Sequence, residues 1–228
     1  CLPEIEKAVA LTSLILAMDE VDSTLGHFTS YLKDWSSRSY KEMRLKVPKI
    51  FENTEENVVL KGDIFDSMKN IAVDFAYLDP PYGSNNEKMP PSRVRYASYY
   101  HVWATICKND KPPVFGAALR REDTSDRVAA TVFEEFRKDN DGHFIAVKAI
   151  EKLIQNVNAK YVALSYSSGG KATAEELNDI LNRHGKLIKT IELDYKKNVM
   201  ADMKWTNEWL RDAEEPNREF IFLIDKQA

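Results

Sequence analysis

A short apolar run that ends in two consecutive prolines constrains this chain more than any other feature. Residues 74–78 (Asp-Phe-Ala-Tyr-Leu) have the composition of a β-strand, and Asp79-Pro80-Pro81-Tyr82 follows them directly. Proline fixes φ and has no backbone N–H, so the strand cannot continue through Pro80 and Pro81. The sequence therefore predicts that Asp79 and Tyr82 lie at the end of a strand, where a parallel sheet usually binds its ligand.

The residue types at this strand end suit a planar ring that carries an amino group. The Asp79 carboxylate and the Pro80 carbonyl can both accept hydrogen bonds from one exocyclic amine. The ring of Tyr82 can stack on a planar base. Together these groups would direct the lone pair of the nitrogen toward a methyl donor. A simpler interpretation stays open, because two prolines after a strand can also be only a stop signal.

Asp79-Pro80-Pro81-Tyr82 resembles the catalytic motif of the S-adenosylmethionine-dependent DNA adenine-N6 methyltransferases. With the strand before it and residues 99–101 (Tyr-Tyr-His) after it, the motif resembles the D12 class of that family in particular. The resemblance implies catalytic roles for Asp79, Pro80, Pro81 and Tyr82 on an adenine that is flipped out of the duplex. It implies S-adenosylmethionine as the cofactor, double-stranded DNA as the partner, and a restriction-modification system as the setting.

A second segment, residues 57–66, is predicted as a short strand that ends in a turn. The resemblance places the adenine of S-adenosylmethionine here, with Asp63 accepting a hydrogen bond from its amine. Ile64 and Phe65 would cover the ring, and Asp79 would also contact the cofactor. On the residues alone, the Gly-Asp pair in this segment is also an ordinary strand-to-loop turn.

Basic and aromatic residues outside the motif are candidates for contact with DNA. Arg38 and Lys41 lie in the most basic local run and could follow a phosphate backbone, although a solvated surface explains them equally well. Further candidates lie in the loop after the motif and at the aromatic start of the helix that follows. These further candidates are Arg93, Arg95, Tyr99 and His101.

Residues 19–33 break the helical pattern that precedes them. They resemble a signature that D12-like enzymes carry between the cofactor-binding part and the catalytic strand. This resemblance makes Asp22, His27 and Tyr31 candidates for lining the site. Capping and loop packing explain the same residues about as well.

The order of the predicted elements is an α/β alternation. The resemblance implies the S-adenosylmethionine-dependent methyltransferase (Rossmann-like) fold, a mostly parallel sheet with a C-terminal antiparallel strand. We expect one methyltransferase domain over residues 1–228, with a helical and linking segment at 1–50 and the sheet within 57–228. A capping box at Thr173 predicts the start of a helix, and Gly185 is placed to end it.

The Gly-rich loop of the family, Phe-x-Gly-x-Gly at the end of a first strand, has no counterpart in this sequence. The chain also begins at Cys1 within an apolar helical pattern. We therefore expect a fold that is incomplete at its N-terminus. Either a missing N-terminal segment or a second chain would supply the cofactor loop, and without it sheet edges would be exposed.

The composition, 43% hydrophobic and 30% charged, is that of a soluble globular protein. No stretch is long and apolar enough to span a membrane. The two cysteines and four scattered histidines favour neither a disulfide framework nor a metal centre. With the resemblance, these features predict a bacterial or archaeal cytoplasmic protein without a metal.

The net charge of −4 is an argument against DNA binding, because phosphate contacts usually require a basic surface. A non-catalytic DNA- or partner-binding subunit therefore stays open as an alternative. So does an enzyme that methylates RNA adenines or a protein glutamine amide, since each presents a planar nitrogen. The plainest alternative is an α/β domain in which the motif only ends a strand.

Overall fold

The structure is a computed structural model that describes residues 2–24, 26–30, 32–52, 54–83, 96–124, 131–194 and 218–227. The chain divides into two compact units. The first unit comprises Cys1–Asn57 and Tyr96–Val128, and the second comprises Val58–Arg95 and Ala129–Ala228. The single domain expected over residues 1–228 remains a prediction.

The described residues form helices and strands in the following chain order. The helices are α1 (Glu4–Val21), α2 (Ile64–Ser67), α3 (Tyr96–Tyr99), α4 (His101–Lys108), α5 (Ile145–Asn156) and α6 (Ala174–His184). The strands are β1 (Ala72–Leu78), β2 (Val114–Phe115), β3 (Arg120–Arg121), β4 (Asn158–Ser167), β5 (Lys186–Asp194) and β6 (Arg218–Asp225). Short 3-10 helices lie at Ser37–Tyr40, Met68–Asn70, Glu122–Thr124 and Val132–Glu134.

The first unit contains α1, α3, α4 and the two-stranded sheet of β2 and β3. Helix α1 confirms the predicted apolar helix and ends where Asp22 takes an extended conformation. The helix predicted after residue 95 is present as α3 and α4, which are separated at Tyr100. In the parts of the chain that are described, no helix has the length and apolar character to cross a membrane.

The second unit contains a four-stranded sheet in the order β1-β4-β6-β5. Strand β1 pairs in parallel with β4, and β6 lies antiparallel between β4 and β5. Three strands therefore share one direction, and the last strand in the chain opposes them. This confirms the predicted C-terminal antiparallel strand and a mixed α/β architecture.

Helices α5 and α6 supply apolar faces to the core of the second unit. Their inward side chains meet the middle of β4 and β6, and burial of each contributes roughly 1.5–3 kcal/mol. Fully buried core residues from these four elements include Ile150, Ile154, Leu164, Tyr166, Leu177, Leu181, Phe222 and Ile224. The predicted capping box is present at the start of α6, with both reciprocal hydrogen bonds between Thr173 and Glu176, and Gly185 lies at the C-cap.

The prediction of a strand within residues 57–66 is wrong. Val58, Val59 and Leu60 are extended but 69%, 93% and 59% exposed, and they belong to no sheet. Asp63 instead caps α2, because its side chain accepts a hydrogen bond from the Phe65 N–H at 2.8 Å. β-propensity forms a strand only where a neighbouring strand completes its hydrogen bonds, and within the described residues none lies beside this segment.

Candidate active site

Asp79-Pro80-Pro81-Tyr82 leaves the sheet directly after β1, as the two prolines predict. Because β1 and β4 are parallel and Leu78 pairs with Leu164, the carboxyl ends of both strands meet at one edge of the sheet. Strand β6 runs in the opposite direction and begins at the same edge. The topology therefore brings the motif, the end of β4 and the start of β6 together.

A hydrogen-bonded cluster joins these three segments. The Tyr82 hydroxyl lies 2.6 Å from Asp79 Oδ1, 2.7 Å from Glu219 Oε1 and 3.1 Å from Ser165 Oγ. Ser165 also donates to Glu219 Oε1 at 2.9 Å. Ser165 is buried, Tyr82 and Glu219 are half-buried, and Asp79 is exposed to solvent. Two carboxylates thus converge on one phenol at the rim of the sheet.

The environment of Tyr82 keeps its hydroxyl protonated. Burial is the largest cause that raises the pKa of Tyr82 far above its ordinary value, and the hydrogen bonds to Asp79 and Glu219 raise it further. A phenol with a raised pKa serves as a hydrogen-bond donor and not as a base. In this cluster the acceptors are therefore Asp79 and Glu219. The Tyr82 ring itself lies against the ring of Tyr166, with the two centroids 4.9 Å apart.

The turn that carries Tyr82 is anchored through its backbone. The Tyr82 carbonyl accepts hydrogen bonds from the Lys171 N–H at 2.9 Å and from the Tyr166 hydroxyl at 3.0 Å. Pro80 is buried, and Gly83 has a φ of +63°, a conformation that glycine adopts at little cost. These contacts fix the chain on both sides of the motif.

The residues predicted to hold the cofactor differ in how accessible they are. Asp63 and Ile64 are exposed, so a carboxylate and an apolar side chain are available next to each other at the start of α2. The Phe65 ring packs inward, with its centroid 5.9 Å from that of Phe133, and the Lys152 ammonium lies 4.8 Å from the same ring. The Phe65 ring is therefore already packed against Phe133 and Lys152 of the second unit, and it is less available than Ile64 to cover a cofactor ring.

Tyr99 and His101 lie in the first unit, where they pack against the loop that contains His27 and Phe28. The His101 ring is 5% exposed, and its Nε2 lies 3.0 Å from the Phe28 carbonyl. A carbonyl only accepts, so Nε2 carries the hydrogen. The Tyr99 and His27 rings stack with centroids 4.4 Å apart, and the Phe28 N–H donates to the Tyr99 carbonyl at 2.8 Å. A cavity of about 280 Å³ in this unit is lined in part by Phe28 and His101.

The two basic candidates of the first unit, Arg38 and Lys41, differ in whether their charge is already paired within the part of the chain that the structure describes. Arg38 forms an ion pair with the Asp22 carboxylate, and its Nε donates to the Asp22 carbonyl at 2.8 Å. Lys41 is exposed directly after the 3-10 helix at Ser37–Tyr40. The candidates Tyr31, Arg93 and Arg95 lie outside the described residues.

The comparisons with known proteins decide the family. The sequence profile of the D12 class N6 adenine-specific DNA methyltransferases matches residues 2–167, which is most of the chain. The chain belongs to this family. That membership agrees with the resemblance of the motif and with its position at the end of a strand.

The chain is also similar, at modest sequence identity, to curated methyltransferases of restriction-modification systems. The chain is 29% identical over 180 residues to the modification methylase StsI of Streptococcus sanguinis, covering 79% of this chain and 25% of that protein. It is 27% identical over 223 residues to the type II methyltransferase M.FokI of Planomicrobium okeanokoites, covering 98% and 31%. It is 25% identical over 188 residues to M.NlaIII of Neisseria lactamica, covering 82% and 49%.

The chain therefore spans about a quarter to a half of the length of these relatives. No solved structure matches the chain. Across the residues that the structure describes, no group of three His, Cys, Asp or Glu side chains is arranged to hold a metal ion.

Sequence reasoning missed two members of the hydrogen-bonded cluster around Tyr82, namely Ser165 and Glu219. Both are polar residues near strand ends, Ser165 near the end of β4 and Glu219 near the start of β6. No proline pair follows either residue, so the signal that marked Asp79 is absent there. Only the sheet register brings Ser165 and Glu219 to Tyr82.

Proposed function

We propose that the chain is the part of an S-adenosylmethionine-dependent methyltransferase that holds a flipped adenine of double-stranded DNA and methylates its N6. The observation that carries this proposal is the position of Asp79 and Tyr82. An exposed carboxylate and a protonated phenol ring stand side by side at the carboxyl end of β1. Membership of the D12 family supports adenine as the base, and the named modification methylases support a restriction-modification setting in the bacterial or archaeal cytoplasm.

The residues of this chain would act on the amine by orientation. Asp79 accepts a hydrogen bond from the N6 amine, and the Pro80 carbonyl accepts the second. Both amine hydrogens are then directed away from the nitrogen lone pair, which is left free to form the new bond. Tyr82 stacks on the ring and holds its plane, an interaction worth about 1–3 kcal/mol per base. Once N6 carries the methyl group it releases one proton, which Asp79 can accept or pass to water.

S-adenosylmethionine supplies the methyl group when it is bound. The exposed Asp63 carboxylate and the exposed Ile64 side chain fit an adenine ring with an exocyclic amine, since they offer an acceptor and an apolar surface. Phe65 fits less well, because its ring is in contact with Phe133. We therefore assign Asp63 and Ile64, together with Asp79, to the cofactor side of the site.

We also propose that a segment outside residues 1–228, or a second chain, adds a strand beside β1 and supplies the cofactor loop. Among the described residues β1 pairs with β4 alone, so its other edge has unpaired backbone groups. Val73, Phe75 and Tyr77, which share one face of β1, are 43%, 53% and 56% exposed. The complete Rossmann-like methyltransferase fold would cover this edge.

Contact with the DNA backbone is assigned to Lys41 more readily than to Arg38. Lys41 is exposed, whereas the Arg38 guanidinium already pairs with Asp22. Arg93, Arg95, Tyr99 and His101 remain candidates for substrate contact. The buried ring of His101 favours a role in holding the loop at Phe28 over direct contact with a base.

Methyl transfer from tritiated S-adenosylmethionine, measured with the proposed cofactor-supplying segment or second chain restored, tests the proposal. DNA, RNA and protein are supplied in parallel, and the labelled product is hydrolysed and identified. The expected product is N6-methyladenine in DNA. Label in RNA adenine or in a glutamine amide would replace the proposed substrate by one of those two.

Calorimetric titration with S-adenosylmethionine tests the proposed missing strand. The chain is titrated alone and again with any upstream segment of its gene restored. Binding only after restoration is expected. Tight binding by the chain alone would contradict the need for a further segment, and no binding in either form would favour a non-catalytic subunit.

A further inference from the structure

In the cluster around Tyr82, the oxygen pairs at hydrogen-bonding distance outnumber the hydroxyl hydrogens that could form the bonds. Four oxygen pairs lie at hydrogen-bonding distance: Tyr82 with Asp79 (2.6 Å), with Glu219 (2.7 Å) and with Ser165 (3.1 Å), and Ser165 with Glu219 (2.9 Å). The two hydroxyl groups provide one proton each, and an ionised carboxylate provides none. The single Tyr82 proton therefore serves Asp79 or Glu219, but not both at once.

The choice between these two acceptors matters for the amine. If Tyr82 donates to Asp79, the phenol uses one of the two lone pairs of Oδ1, the oxygen that faces it, and competes with the incoming N6 amine for the negative charge of the carboxylate. If Tyr82 donates to Glu219, Oδ1 is left without a donor and is available. A hydroxyl proton can turn from one acceptor to the other without movement of the ring, because both oxygens already lie within 2.7 Å of the phenol.

We propose that Glu219, held by Ser165, is a positioning residue that takes over the Tyr82 hydroxyl when the substrate amine binds Asp79. This hand-over rests on the proposed function, since the amine is the donor that replaces Tyr82 at Asp79. Glu219 does not touch the base in this scheme. It acts through Tyr82, by giving the phenol a second charged acceptor and so lowering the cost of releasing Asp79.

The surroundings of Glu219 suit this role. Ser165 is buried at the end of β4 and donates to the same Oε1 that faces Tyr82, which fixes the orientation of the carboxylate. Glu219 lies on β6, beside β4 and opposite Ser167, so the sheet holds its backbone in place. Hydrogen bonds to charged groups are stronger than neutral ones, so a carboxylate is the acceptor best able to compete with Asp79 for the phenol.

Tyrosine labelled with ¹³C at Cζ reports the hand-over directly, because the Cζ resonance responds to the hydrogen bond of the hydroxyl. Tyr82 is one of ten tyrosines and is assigned with the Tyr82→Phe variant. The probe is a single-stranded oligodeoxynucleotide of adenines. Its matched control carries unsubstituted purine in place of adenine, which stacks in the same way but lacks the amine.

The expected result is a larger Tyr82 shift with adenine than with purine, and loss of that difference in Glu219→Leu. Glu219→Gln keeps an oxygen acceptor and should restore most of the difference. Equal shifts with adenine and purine in the unmodified chain would overturn the hand-over while leaving adenine stacking intact. Failure of the adenine oligonucleotide to bind would overturn the proposed function together with the hand-over.

A double-mutant cycle separates a positioning role from a structural one. Glu219→Leu should weaken binding of the adenine oligonucleotide about tenfold, the change that corresponds to roughly 1.4 kcal/mol. In the Tyr82→Phe background the same substitution should have no effect, because no hydroxyl competes for Asp79. An equal loss in both backgrounds, or no loss in either, would overturn the proposal. Circular dichroism of each variant monitors the fold.

Discussion

The Tyr166 hydroxyl donates a hydrogen bond to the backbone carbonyl of Tyr82 at 3.0 Å, and it accepts one from the Ala172 N–H at 3.2 Å. Tyr166 is fully buried in β4 and Ala172 is also buried, so the Ala172 N–H has no water in reach to replace the hydroxyl. This one hydroxyl joins the motif to the loop that follows the neighbouring strand. The backbone geometry of the motif therefore depends on a buried residue of the neighbouring strand.

Tyr166→Phe should lower the free energy of unfolding by about 1–3 kcal/mol, the cost of leaving one buried polar group, the Ala172 N–H, unpaired. Tyr161→Phe is the matched control, because Tyr161 lies on the same strand but is half-exposed, and its substitution should change stability by less than about 0.5 kcal/mol. Urea denaturation measures both. Equal midpoints for the two variants would contradict the anchoring role.

Gly170→Ala should disturb the hydrogen bonds of the Tyr166 hydroxyl, because Gly170 lies against the Tyr166 ring. A Cβ at this position would lie 2.3 Å from Cε1 and 2.9 Å from the hydroxyl of Tyr166, so the ring or the loop must move. Overpacking of this kind costs about 1–3 kcal/mol. Gly62→Ala is the control, since its nearest contact is the movable Ser67 hydroxyl at 3.1 Å. Equal denaturation midpoints for the two variants would contradict this prediction, because the loop at Gly170 would then accommodate a Cβ without loss of stability.

The local features of the second unit could be predicted from the sequence because their causes are local. Two prolines end β1, and a Thr-x-x-Glu pattern starts α6. Each signal involves residues within a few positions of one another, so no knowledge of the fold is needed. The strand end at the motif and the capping box were both found in this way.

The parts that sequence reasoning missed depend on distant partners. Ser165 and Glu219 are 83 and 137 residues from Tyr82 along the chain, and only the sheet register brings them to it. In the segment at residues 58–60 the error was the opposite one, because a strand was predicted that the structure does not contain. Its residues suit a strand, but a strand also needs a neighbour, and β-propensity carries no information on whether one is present.

The stability of the first unit should depend on pH through His27. Burial lowers the pKa of His27, and its Nδ1 lies 2.8 Å from the Thr29 hydroxyl. The unfolded chain, with a histidine pKa of about 6.5, then binds the proton more readily than the folded one. Stability is therefore present above pH of about 6.5 and is lost as the pH falls below it.

His27→Phe keeps a ring beside Tyr99 but cannot titrate. Thermal unfolding between neutral and mildly acidic pH should show a smaller decrease of the midpoint in this variant than in the unmodified chain. The comparison cancels the contributions of the other histidines. Identical pH dependence in the two proteins would mean that His27 is as easily protonated folded as unfolded.

The ring and the hydroxyl of Tyr82 should have separable effects on adenine binding. Tyr82→Ala removes the stacking surface and should weaken binding by about 1–3 kcal/mol. Tyr82→Phe keeps the ring and removes the phenol that competes for Asp79, so it should retain the affinity. Fluorescence anisotropy with a labelled adenine oligonucleotide measures both. If the two variants lose the same affinity, stacking is not the function of the ring.

The central claim is that Asp79 orients the amine that receives the methyl group. The most direct measurement is transfer of tritiated methyl from S-adenosylmethionine to adenine in DNA by Asp79→Ala, compared with Asp74→Ala, each with the proposed cofactor-supplying segment or second chain restored. Asp74 is an exposed carboxylate on the same strand and serves as the matched control. We predict that Asp79→Ala folds normally but transfers no methyl group, while Asp74→Ala remains active. Methyl transfer that survives in a folded Asp79→Ala protein would contradict the account.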